Sequence, residues 1–257
     1  MIIPMLRNLF TKLKGVFKVE ERKIAGLIEY EEKWLTRIGY PVVTKVIGPI
    51  VRWLWIHKVE GLHNIPKEGP VIVASNHESY FDFICFMAVC PRKIHYLAAE
   101  KFFESRLWRP LMHLTGQIKV DRKNDDKSEV HQLVHSALQQ GRMIGIFPEG
   151  TRSQDGKLLK AYTGVAKFAL KTKAPIVPVG MIGTYEIMSR HDKFPKFRKA
   201  RIKIGEPMHF HEYYDIDHTD HHFRLITDKI MLKIAELIGE EYFHAERSNK
   251  IKPTFPL

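Results

Sequence analysis

In the first 56 residues the apolar positions recur at helical spacing, and beyond them they gather into short β-like runs separated by helical stretches. Leu6, Leu9, Phe10, Leu13, Val16 and Phe17 fall on one face of a helix, with Arg7, Lys14 and Lys18 opposite and Lys12 near the edge. An apolar face opposed by cations suits a helix lying in the head-group layer of an anionic bilayer. Packing on its own domain would use the same face. A second helix is expected over residues 20–39, followed by Trp53 and Trp55, whose indoles suit either a core or a membrane interface. The rest of the chain predicts strands at 56–60, 71–75, 94–98, 117–120, 143–147, 176–181 and 201–204. Between them, a helix over 126–140 opens on a capping box of Asp126 and Glu129 and stops at Gly141, with Val130, Leu133, Val134, Ala137 and Leu138 as its stripe. The last helix, over 222–238, carries Phe223, Ile226, Ile230, Ile234 and Leu237 on one face.

This alternation predicts an α/β fold, a mostly parallel sheet flanked by helices, with its ligand site beyond the carboxyl ends of the strands. The expected division is an N-terminal amphipathic helical membrane-association segment, residues 1–56, and an α/β domain, residues 57–257.

Composition narrows the partners. The chain carries 41 Lys and Arg against 29 Asp and Glu, a net charge of +12, which favours anionic lipid surfaces, nucleic acids or phosphorylated substrates. No secretory signal and no membrane span are expected: the best apolar stretch, 39–56, is interrupted by Pro41, Lys45, Pro49 and Arg52, so it is read as lying on a membrane rather than crossing it. Two cysteines, Cys85 and Cys90, sit in one apolar run and read as core thiols rather than a disulfide framework.

Two segments carry chemistry. The run from Val71 to Ser75 leads into Asn76 and His77, and Asp82 follows about a turn into the next stretch. A carboxylate on one imidazole nitrogen fixes the tautomer and stabilises the imidazolium when the other nitrogen takes a proton. Taken alone, His77 could equally bond a loop carbonyl and Asp82 be solvated. The second segment, from Met143 to Phe147, runs into Pro148, Glu149, Gly150, Thr151 and Arg152. Gly150 permits a sharp turn, Arg152 offers a planar fork suited to phosphate, and Glu149 could bond a substrate hydroxyl or anchor the loop.

Together these segments resemble the glycerolipid acyltransferases of the lysophosphatidic acid acyltransferase type, whose signature couples Asn-His-x-x-x-x-Asp to a later Phe-Pro-Glu-Gly-Thr-Arg. Here these are Asn76-His77 with Asp82, and Phe147 to Arg152. The resemblance extends over about residues 57–210. It implies that His77 is the general base and Asp82 its partner. It makes Arg152, Arg122 at the end of the Gly116–Arg122 block, and Lys101 the phosphate-binding set. Glu149, Gly150 and Thr151 position substrate or loop, and Pro178, within Ile176-Val-Pro-Val179, belongs to the acyl or donor side. One departure is Glu78, where many relatives have Gln.

What the resemblance implies is an O-acyltransferase moving a fatty acyl group from acyl-CoA or acyl carrier protein to the sn-2 hydroxyl of 1-acyl-glycerol-3-phosphate, giving phosphatidic acid. No cofactor or metal is required, and oxyanion donors are sought among backbone amides near Gly150. The expected partners are an anionic membrane surface, a lysophospholipid acceptor and the thioester donor, at the cytoplasmic face of the membrane, peripheral or monotopic. Glycerol 3-phosphate or another lyso-lipid is the alternative acceptor. A basic membrane- or nucleic-acid-binding protein is the non-enzyme alternative, for which Lys196, Arg198, Lys199, Arg201 and Lys203 supply charge without a nucleic-acid-binding motif. A zinc site among His209, His211, His218, His221 and His222 is not expected, because they lack a H-E-x-x-H helix.

Overall fold

The computed structural model describes residues 23–24, 27–28, 30–121 and 128–245. The amphipathic stretch from Leu6 to Phe17, Arg122 and Asp126 lie outside the described residues. Strands β1 (Lys23–Ile24) and β2 (Leu27–Ile28) pair antiparallel. The helix expected from residue 20 therefore starts later, as α1 (Trp34–Val42). The physical reason is in the sequence: β-branched Ile24 and Ile28 flank Gly26, a combination that favours extended chain over helix. A π-helical turn, Val43–Ile47, joins α1 to α2 (Gly48–Trp55). It lies between Pro41 and Pro49, each of which removes a donor from the helical ladder.

The seven expected strands all form, with ends within a residue of the pattern. They are β3 (Ile56–Glu60), β4 (Val71–Ser75), β5 (Ile94–Ala99), β6 (Ile118–Val120), β7 (Met143–Ile146), β8 (Ile176–Ile182) and β9 (Ala200–Ile204). They make one sheet in the order β3-β9-β8-β4-β7-β5-β6. Every pairing is parallel except β8 with β9. Interleaved with them are α3 (Phe81–Val89), α4 (Glu100–Glu104), α5 (Arg109–Thr115), α6 (Ser128–Gln139), α7 (Gly164–Thr172), α8 (Thr184–Ile187) and α9 (Asp220–Ile238).

Alternation along β4 feeds two cores. Ile72 and Ala74 join the core that also holds Val134 of α6, Phe168 of α7 and Ile230 of α9. Val71 and Val73 face the other way, into a core with Phe86 of α3 and Val51 of α2. With both faces covered, all five residues of β4 are buried, which is why the strand reads as an unbroken apolar run. Cys85 is buried in the second core, Cys90 is half-buried, and both are free thiols.

Helix α9 begins two residues before its expected start, capped by Thr219, whose Oγ1 accepts from the His222 N–H while the Thr219 N–H donates to His222 Nδ1. His222 is thus part of a helix cap, and His209 stacks on His211. Among the described residues no group of three or more His, Cys, Asp or Glu is arranged to hold a metal ion. No helix among them is long and apolar enough to cross a membrane.

Candidate active site

At the carboxyl edge of β4 the chain leaves the sheet at Asn76, and the Asn76 side chain extends the β4–β8 pairing by one rung. Its Oδ1 accepts from the Met181 N–H at 2.7 Å and its Nδ2 donates to the Met181 carbonyl at 2.8 Å. The same Nδ2 donates to Glu78 Oε1 at 2.9 Å. This fixes the next residue, His77, at the mouth of the sheet.

His77 is gripped on every side but one. Its Nδ1 lies 2.8 Å from Asp82 Oδ2. Asp82 is fully buried in the first turn of α3, and its Oδ2 also accepts from the Glu78 and Ser79 N–H groups, each at 2.8 Å. A carboxylate only accepts, so Nδ1 carries the proton and Nε2 is left as the base. Phe147 stacks on the imidazole with centroids 3.9 Å apart, and Tyr96 stacks behind Phe147 at 5.2 Å. The backbone of His77 is clamped by the second motif: its N–H donates to Glu149 Oε1 at 2.8 Å, and its carbonyl accepts from the Ser153 N–H at 2.8 Å.

Of the two roles open to Glu149 in the sequence, the geometry fills the structural one. Its other oxygen accepts from the Leu159 N–H at 2.7 Å, so the buried carboxyl ties two stretches of loop to the catalytic strand. Burial pushes its pKa up to about 8 against the pull of those two N–H groups. Burial, reinforced by the negative charge of Asp82, pushes Glu78 up to about 9. Gly150 takes a left-handed φ of +66°, and its N–H closes the turn on the Phe147 carbonyl at 2.9 Å, so that amide is not an open oxyanion donor. Thr151 is exposed beside it.

The Arg152 Cζ sits over the Tyr80 ring, 3.5 Å from its centroid, with Nη1 buried and without a protein partner. Burial and the neighbouring Arg190 charge lower its pKa, while Tyr80 and Asp82 raise it. A guanidinium so held, with a donor left unpartnered, has the chemistry to receive an anionic oxygen. Lys101 is exposed in α4, which follows β5 at the same edge. Pro178 lies in mid-strand, paired with Ala74 in register, buried, and not among the residues lining the cavity at His77. That cavity, about 110 Å³, is lined by Phe83, Tyr96, Phe102, Met112 and Ile146 together with His77 and Gly150.

The family model described as Acyltransferase matches residues 56–182. The chain is 30% identical over 183 residues to the 1-acyl-sn-glycerol-3-phosphate acyltransferase of Bacillus subtilis (strain 168), an alignment spanning 70% of this chain and 87% of that one. The chain belongs to the acyltransferase family. A more distant member, the alpha 1-acyl-sn-glycerol-3-phosphate acyltransferase of Mus musculus, is 27% identical over 59% of this chain and 54% of its own length. Among solved structures, the 1-acyl-sn-glycerophosphate acyltransferase PlsC from Thermotoga maritima superposes with a TM-score of 0.62 at 25% identity, covering 77% of this chain and 79% of that one. In this acyltransferase the two motifs meet at one sheet edge: His77 bonds Asp82 and Glu149, Gly150 lines the same cavity as His77, and Arg152 lies over Tyr80. Asn76 and Phe147 stand in the same motifs without a role assigned from the sequence, and Ser153 and Tyr80 were not singled out. An aromatic residue ending a strand beside a catalytic loop was the available signal for Phe147.

Proposed function

We propose that this enzyme acylates the sn-2 hydroxyl of 1-acyl-glycerol-3-phosphate, forming phosphatidic acid in phospholipid biosynthesis, with acyl-CoA or acyl carrier protein as donor. The observation that carries the reading is the His77–Asp82 pair at 2.8 Å, with His77 lining an apolar cavity, and the open donor of Arg152 in the adjoining motif. A glycerol hydroxyl attacks a thioester only as its proton leaves. His77 Nε2 takes that proton, and the alkoxide oxygen bonds to the thioester carbon. The tetrahedral oxyanion then collapses, breaking the C–S bond, and the imidazolium returns the proton to the departing thiolate. Asp82 stabilises the imidazolium throughout. Arg152, with Arg122 and Lys101, holds the acceptor phosphate so that its hydroxyl stays at His77.

The acceptor's chemistry and the protein's surface both support membrane association. Along α1, the π turn and α2, Trp34, Ile38, Val42, Val46, Ile50 and Trp53 form an exposed row at spacings of three and four, each at least 52% exposed. Such a row suits a helix lying in the head-group layer, peripheral or monotopic, at the cytoplasmic face. The test is a panel of acceptors (lysophosphatidate, glycerol 3-phosphate and other lyso-lipids) with one acyl-CoA, products read by mass spectrometry. Phosphatidic acid as the main product supports the reading, and preferential acylation of another acceptor overturns it.

A further inference from the structure

Because β8 and β9 run antiparallel, with Ile182 opposite Arg201, the chain between them crosses the sheet edge where His77 sits. That connection holds two phenylalanines, Phe194 and Phe197, each 80% exposed. They alternate with cations: residues 190–199 contain Arg190, Lys193, Lys196, Arg198 and Lys199 against Asp192 alone. Asp192 is itself paired with Lys196 at 2.8 Å. A single exposed apolar residue is ordinary, but two bare Phe side chains among cations, beside the 76%-exposed Trp53, make a patch.

The loop is held in place rather than draped. The Phe197 ring stacks on Trp55 with centroids 6.3 Å apart and planes 2° from parallel. Trp55 Nε1 donates to the Lys196 carbonyl at 3.1 Å, and Lys199 Nζ donates to the Trp53 carbonyl. At its other end the Met188 carbonyl accepts from Ser79 Oγ at 2.6 Å, directly in the catalytic loop. The segment therefore adjoins Trp53, at the end of the exposed row of α1 and α2, and is bonded to Ser79, whose N–H donates to Asp82.

We propose that residues 188–199 form a second docking element for an anionic lipid bilayer, with Phe194 and Phe197 entering the head-group layer and Lys193 and Arg198 meeting its charge. The inference rests on the reading that the acceptor is a membrane lipid. Aromatic residues among cations also suit single-stranded nucleic acid. The bilayer is favoured because the patch adjoins Trp53, which stands in one row with aliphatic Ile38, Val42, Val46 and Ile50, and these offer nothing to stack on a base. Two points of contact, one in the N-terminal helix and one across the site, set the tilt of the enzyme and bring its mouth level with the lipid phosphates.

The test is vesicle co-sedimentation of full-length protein carrying F194S, F194S/F197S or K193Q/R198Q, on phosphatidylcholine alone and on phosphatidylcholine mixed equally with phosphatidylglycerol. The F194S single variant leaves the Phe197–Trp55 stack untouched. Both Phe variants are expected to weaken partitioning to mixed vesicles, by about fivefold or more for the pair, the scale of withdrawing two rings from an apolar phase. K193Q/R198Q should weaken binding to mixed vesicles only, and less at high salt. Turnover of a short-chain, monodisperse lysophosphatidate should match wild type in all three. Wild-type partitioning by all variants overturns the proposal. So does loss of single-stranded DNA binding with vesicle binding intact. If wild type turns over no lysophosphatidate in any form, the functional reading fails whatever the vesicles show.

Discussion

Three N–H groups converge on one oxygen of Asp82, two from the backbone and one from His77, while its other oxygen is buried without a partner. An amide at this position lacks the negative charge that stabilises the imidazolium, and its NH₂ either faces the donors or is buried without an acceptor. Asp82→Asn is expected to cut turnover by about 10²–10⁴-fold with little change in acceptor KM, as steady-state kinetics will show. Glu78 makes a different prediction. Its folded pKa, about 9 against an ordinary 4.5, means that it folds as a neutral acid, so the native state holds a proton the unfolded chain releases. The stability it contributes is present at low pH and is lost as pH rises from 4.5 towards 9. Glu78→Gln is isosteric with the protonated acid and should keep activity while flattening that decline in melting temperature. Glu149, with the same sign and a pKa of about 8, leaves a remaining slope. A Gln variant that melts with the wild-type pH profile would show Glu78 to be ionised. Arg152→Ala should raise the acceptor KM by an amount corresponding to about 1.5–3 kcal/mol. Arg152→Lys should restore only part, because an ammonium offers no fork.

At the scale of elements, β5 and β7 support the catalytic ring through their side chains. Gly145 in β7 leaves room for the Tyr96 ring: a Cβ there would come within 2.5 Å of it. Tyr96 backs Phe147, and Phe147 backs His77. Gly145→Ala should therefore displace the whole column, costing about 1–3 kcal/mol of stability in denaturant titration and lowering kcat more than it changes KM. Wild-type kcat in that variant would show that the stack does not position His77. The strands themselves were legible because β4, β7 and β8 are covered on both faces and so read as continuous apolar runs. Their partners were not. The bonds from Glu149 to His77 and from Asn76 to Met181 join residues 72 and 105 positions apart, and no local pattern encodes such a pairing. The helix expected over 20–39 forms only from Trp34: its earlier part fitted a helix locally, while β-branched Ile24 and Ile28 favoured the antiparallel pair that formed.

Across the whole molecule, the parallel order β8-β4-β7-β5 places the ends of four strands at one edge, and the reversed β9 returns the basic aromatic loop to it. The fold class and the His77–Asp82 pairing were readable because the two motifs lie at the ends of strands that sit side by side, with Ala74 in register with Ile146. The exposed row on α1 and α2 was legible only as an interrupted apolar stretch, since Pro41, Lys45, Pro49 and Arg52 mask a face that the helix itself restores. Net charge, read alone, left lipid and nucleic acid both open; the proposed bilayer contact rests on the exposed aliphatic residues Ile38, Val42, Val46 and Ile50, which stand in one row with Trp34 and Trp53. The account stands on His77 as the base that moves an acyl group to a phosphorylated acceptor. The most direct measurement is the rate of phosphatidic acid formation from lysophosphatidate and acyl-CoA, by mass spectrometry, for wild type and His77→Ala at matched melting temperature. A loss of at least about 10²-fold in the variant is the predicted result. Equal rates in a folded His77→Ala protein, or no product from wild type, would contradict it.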